Sequence, residues 1–101
     1  MELHIARSAL EDLQAIQAYY AEQDVPHIGD EYVAAILKHS EILEGHPDAG
    51  RIVPEFSMDH IRELIHPPFR VVYLRREADI VLLRIWRSER KLELPETKYN
   101  E

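Results

Sequence analysis

The chain has 101 residues, 46% of them hydrophobic and 31% charged, and a formal charge of −7. That composition excludes general disorder, and the length fits a single domain with one core. The absence of cysteine excludes disulfide scaffolds, thiolate metal sites and cysteine nucleophiles. No apolar stretch approaches the length of a bilayer span, and Met1 leads straight into Glu2 without an apolar leader. The expectation is a cytoplasmic protein with no membrane partner.

Glu2-Leu3-His4-Ile5-Ala6 alternates polar and apolar residues, which predicts a short opening strand. Ser8, followed three residues later by Glu11, has the pattern of a capping box. Leu10, Leu13, Ile16 and Tyr20 then recur at helical spacing to about Glu22. A turn containing Pro26 is expected over 24–29. A second helix carries Tyr32, Val33, Ile36, Leu37, Ser40 and Leu43 on one face. Gly45, before His46-Pro47, is expected to end it in a left-handed cap. Two helices joined this closely predict an antiparallel hairpin.

Beyond Gly45 the period changes. Residues 48–59 read as irregular, with a short extended piece at 51–53. Ile61 to Ile65 reads as a strand closed by Pro67-Pro68. Phe69 to Arg76 and Ile80 to Arg87 are rich in β-branched and aromatic residues and are separated by so little that they predict a hairpin. From Ser88 the chain is charged and broken by Pro95. The predicted fold class is α+β: β-αα-βββ, with the helical hairpin packed on one face of a small, mostly antiparallel sheet.

The charge is unevenly placed. Residues 1–60 carry three basic side chains against twelve acids, a net of −9, while residues 61–101 carry nine against seven, a net of +2. Over 62–91 the balance is +4, and seven of the eight cations are arginine. Arginine's planar fork suits phosphate and carboxylate partners. In a hairpin with a two- or three-residue loop, Arg70 falls beside either Arg87 or Trp86, and Arg62 is expected at the same end. Guanidinium groups around an indole suit a phosphate backbone with a stacked base, or an acidic protein surface with an aromatic anchor.

Acid–base candidates are sparser. The histidines are His4, His27, His39, His46, His60 and His66, and no two have the i, i+4 spacing of a helical zinc motif. No metal site is therefore expected. His60 and His66 flank the strand that bears Arg62, and Glu55 and Glu63 are candidate carboxylate bases. With only three glycines (Gly29, Gly45 and Gly50) and no glycine-rich phosphate loop, no nucleotide cofactor is expected.

The run Ala6-Arg7-Ser8-Ala9-Leu10-Glu11-Asp12-Leu13, followed by His46 to Glu55, Ile61-Arg62-Glu63-Leu64, Phe69-Arg70-Val71-Val72-Tyr73 and Ile80 to Arg90, resembles the RelE/ParE superfamily of toxins. The resemblance covers about residues 3–92. It implies one toxin domain over 1–92 with a charged tail over 93–101, the toxin half of a bacterial type II toxin–antitoxin pair, and a cognate antitoxin as partner. An acidic, amphipathic antitoxin segment is expected to cross the helix hairpin and reach the basic sheet.

Within that superfamily, RelE-like members cut messenger RNA on the ribosome, using basic residues with a histidine or tyrosine near the end of the last strand. By resemblance, Arg62 and Arg70 occupy basic positions of such a site. This chain has Arg87 where many relatives place a histidine, and arginine cannot act as a general base at neutral pH. ParE-like members lack that acid–base set and poison DNA gyrase by binding. The favoured expectation is thus a gyrase-directed toxin with Arg62, Arg70, Arg84, Trp86, Arg87 and Arg90 in contact with the target. The alternative is a ribosome-dependent endoribonuclease acting on mRNA through Arg62, Arg70 and Arg87, with Glu55, His60 or Glu63 as base. A third reading is an inactive member that only binds its antitoxin.

Overall fold

The structure is a computed structural model that describes residues 1–88. Its elements run β1 (Glu2–Ile5), α1 (Arg7–Glu22), α2 (Pro26–Ser40), a 3-10 turn (Glu41–Glu44), β2 (Arg51–Ile52), β3 (Ile61–His66), β4 (Phe69–Arg75) and β5 (Asp79–Arg87). The five strands form one sheet in the order β1-β5-β4-β3-β2, antiparallel except where β1 lies parallel to β5. The expected β-αα-βββ layout is therefore found, with residues 51–52 as an added edge strand.

The two helices cover one face of this sheet. Ala9, Leu13 and Ile16 of α1 and Ile36 of α2 meet Leu64, Phe69, Val71, Tyr73, Ile80, Leu82 and Ile85 in a single core. Burial at this scale, at about 25 cal/mol per Å² of apolar surface, is what holds the hairpin to the sheet. Gly29 lies where the helices cross. A Cβ there would stand 3.1 Å from the Gln17 Cα and 3.2 Å from the Ile16 carbonyl oxygen.

Three local expectations are corrected. Ser8 does not cap α1: Ala6 occupies the N-cap, and the Ser8 hydroxyl donates instead to the Leu83 carbonyl at 2.6 Å. Pro26 does not sit within a turn but opens α2, where its fixed φ suits the first helical position and its missing N–H costs nothing. Gly45 is not left-handed; its φ is −101°, because the 3-10 turn over Glu41–Glu44 has already tightened the helix end. The Gly45 and His46 amides both donate to the Ile42 carbonyl.

One irregularity decides which side chains reach which face. Val72 pairs with Arg84 but Tyr73 pairs with Leu82, so Leu83 is an extra residue in β5. This bulge shifts the alternation by one. Ile80 and Leu82 point into the core before it and Ile85 after it, while Arg84 and Trp86 turn to the face without helices. Two α1 side chains hold the irregular segment: Ser8 satisfies the Leu83 carbonyl, and Asp12 accepts the Ile85 N–H at 2.8 Å.

Candidate target-binding face

The face of the sheet opposite the helices carries Glu63 from β3, Arg70 from β4, and Arg84 and Trp86 from β5. Arg70 lies directly opposite Trp86, and its guanidinium carbon stands 5.7 Å from the indole centroid. The Arg84 guanidinium lies over the same ring at 5.5 Å. The indole thus lies within cation–π reach of two guanidinium groups, which gives it electrostatic support.

The two arginines differ in surroundings. The Arg70 side chain is 3% exposed, and its Nε donates to Glu63 at 2.6 Å. Its two terminal nitrogens grip both Glu55 oxygens at 3.1 and 3.0 Å. Glu63 is itself fully buried and takes a second guanidinium, that of Arg51, at 2.6 Å. Burial alone would lower the Arg70 pKa, but the hydrogen bonds to Glu55 and Glu63 outweigh it and the net shift is upward. The result is a closed chain, Arg51–Glu63–Arg70–Glu55, in which each buried charge has a hydrogen-bonded counter-charge, as its desolvation demands.

Arg84 instead leaves 45% of its side chain exposed and is tied bidentately to Asp12 of α1 at 2.8 and 3.1 Å. Those hydrogen bonds, partly offset by desolvation, raise its pKa. Beside it a cleft of about 520 Å³ opens between α1 and the edge of β5. Ile16, Tyr19, Tyr20, Phe69 and Ile85 make much of its wall, with Asp12, Trp86 and Arg87 at its polar parts. β1 pairs with residues 79–82 of β5, so among the described residues this edge has no strand neighbour beyond Leu82.

The remaining sequence candidates do not join Arg70 and Trp86. Arg62 pairs opposite Tyr73 on the helix side, where it donates to the Asp59 and Gly50 carbonyls and stands 3.6 Å from Asp48. Arg87 pairs opposite Phe69 and lies over that ring at 5.4 Å, with the Tyr20 hydroxyl 3.5 Å away. The expected trio of Arg62, Arg70 and Arg87 is therefore divided between two faces. Arg90 lies outside the described residues. Of the candidate bases, Glu55 and Glu63 are engaged by Arg70, His60 stands 3.6 Å from Asp59, and His66 faces His39 on the helix side. Asp12 was not among the sequence candidates. Its signal was present, since it lies two turns from Tyr19 on the polar flank of α1, but nothing in the sequence linked it to residue 84.

A small, mostly antiparallel sheet covered on one side by an αα hairpin is the architecture expected from the resemblance to RelE/ParE toxins. A family model described as "ParE toxin of type II toxin-antitoxin system, parDE" matches residues 3–92. The chain belongs to that family and is a toxin of the type II class. Among solved structures it is similar to a chain of the "Chromosomal ParDE TA system from P. aeruginosa" at 27% identity and a TM-score of 0.73. That match covers 86% of this chain and 95% of the other. No curated protein matches the sequence. Among the described residues no helix is long and apolar enough to cross a membrane.

Proposed function

We propose that this toxin arrests growth by binding DNA gyrase through the helix-free sheet face, and that a cognate antitoxin neutralises it by covering that face and the adjoining cleft. The observation that carries the reading is the Trp86 indole within cation–π reach of both Arg70 and Arg84. It is an aromatic anchor with a partly exposed cation beside it, the type of group that dominates protein interfaces. Arg84 and Trp86 make the contacts, Arg87 contributes at the mouth of the cleft, and Arg70 supports the indole from within the sheet. Arg90 is proposed to contribute from beyond the described residues, and Arg62 acts on the loop that closes the sheet.

The paired carboxylates favour binding over hydrolysis. Both Glu63 oxygens and both Glu55 oxygens accept charge-assisted hydrogen bonds from arginine. Taking up a proton would cost either one an ion pair. Family membership implies an antitoxin, and the cleft's tyrosines beside Arg84 and Arg87 suit an acidic segment with apolar side chains. Supercoiling and DNA-cleavage assays with purified gyrase test the target. Inhibition by the toxin, relieved by antitoxin, is expected. An unaffected gyrase at high toxin excess, with codon-phased cuts in translated message by primer extension, would replace this reading with the ribonuclease one.

A further inference from the structure

On the helix side of the sheet, away from Trp86, two histidines meet that neither the toxin fold nor the target-binding face requires. His39 is in the last turn of α2, and His66 ends β3 in register with Phe69. Twenty-seven residues apart in sequence, their Nδ1 atoms are 2.9 Å apart, with ring centroids at 5.1 Å and planes inclined by 50°. Both side chains are half-buried, so solvent and ions reach them.

We propose that His39 and His66 form a two-imidazole chelate for a divalent transition-metal ion, Cu(II) foremost and Ni(II) next, which clamps the end of α2 to the end of β3. Ligand chemistry selects the metal. Imidazole nitrogen suits Cu, Ni and Zn, and the Irving–Williams order puts Cu(II) first among the divalent ions. The 2.9 Å spacing is that of a hydrogen bond between the rings and brings both Nδ1 atoms within reach of one ion. As the pair stands, one ring donates its Nδ1 proton to the other. To ligate through both Nδ1 atoms, the donor ring moves that proton to its own Nε2 by exchange with water, and both rings tilt toward a common point. No net proton is released, and water fills the remaining positions. Among the described residues no group of three or more histidine, aspartate or glutamate ligands converges anywhere, so the site is a two-ligand clamp rather than a closed structural centre.

The test uses tag-free, full-length protein stripped with chelator and titrated with Cu(II) under electron paramagnetic resonance. One equivalent should bind with hyperfine coupling to two nitrogens, and His39→Gln or His66→Gln should each weaken binding at least tenfold. His60→Gln should leave it unchanged. Because His4 lies near the chain's amino terminus, His4→Gln is the decisive control. Binding lost in His4→Gln but kept in both clamp variants would place the ion at the terminus and overturn the proposal. A thermal melt is independent of those variants' folding. Saturating Ni(II) should raise the wild-type midpoint, since an ion bound only by the folded pair stabilises it. No rise, or no copper binding at 100-fold excess, would equally overturn it.

Discussion

Arg70 and Arg84 lie on the same sheet face and touch the same indole, yet one is sealed and the other is open. Arg70 sits in the middle strand of the sheet, 3% exposed, between two carboxylates. Arg84 lies on β5 beyond the end of β1, 45% exposed, tied to one helix carboxylate. The difference teaches that an arginine-rich strand is not in itself a binding surface. A central guanidinium must be neutralised internally to be buried at all, while an edge guanidinium can keep part of its fork for a partner. The first kind holds the face in shape and the second presents it.

The sharpest way to break this comparison is to remove the sealed cation. Arg70→Ala leaves one oxygen of the buried Glu63 without its partner and should cost about 3–5 kcal/mol in urea unfolding. Pairing it with Glu63→Leu should recover a substantial part of that loss in a double-mutant cycle, because no buried charge is then stranded. A purely additive cycle would show that the two charges do not form a unit.

Next in size is Gly50. A Cβ there would lie 2.5 Å from the Glu63 carbonyl oxygen and 2.7 Å from the Tyr73 ring. The Gly50 amide also donates to the Tyr73 hydroxyl, which in turn donates to the Pro47 carbonyl. Gly50→Ala should therefore destabilise by about 1–3 kcal/mol, with the loss visible as a lower denaturation midpoint.

Arg84→Ala should cost at most about 1 kcal/mol, as expected for a partly exposed ion pair, while weakening target binding. Stability loss on the scale of Arg70→Ala would erase the distinction between the two cations.

The smallest expected effect is a slope with pH. The His66 pKa is lowered in the folded protein by burial and by His39, so the unfolded chain takes up a proton first as pH falls. Stability should fall on acidification from the unfolded histidine pKa, about 6.5, down to the lower folded value. His66→Gln should flatten that part of the profile measured by thermal melts; an unchanged slope would contradict the assignment.

Much of the fold was legible. The apolar spacing of Leu13 and Ile16 marked α1, and the β-branched runs marked β4 and β5. The short loop before Asp79 left two choices for the neighbour of Arg70, and Trp86 is the one found. Alternation alone would also have separated Trp86 from Arg87, and the two-residue Pro67-Pro68 turn would have set Arg62 on the other face from Arg70. The Leu83 bulge could not be read that way. Uninterrupted alternation from Ile80 would bury Arg84 and Trp86 under the helices, and the side chains that hold the bulge, Ser8 and Asp12, come from some seventy residues earlier. Glu55 was legible as a residue but not as a partner of Arg70, since the stretch around it has no period and its position follows only from where the loop folds back. The meeting of His39 and His66 likewise arises from the docking of α2 on β3, which no sequence spacing encodes.

The central claim is that Arg84 and Trp86 present the toxin to its target while Arg70 only supports them. A gyrase supercoiling titration tests it most directly, comparing wild type with Trp86→Ala, Arg84→Glu and, as a control at the opposite end of the sheet, Arg76→Glu. The account predicts that the first two lose inhibition by tenfold or more with little change in melting temperature, while Arg76→Glu inhibits as wild type does. Full inhibition by folded Trp86→Ala and Arg84→Glu would contradict it.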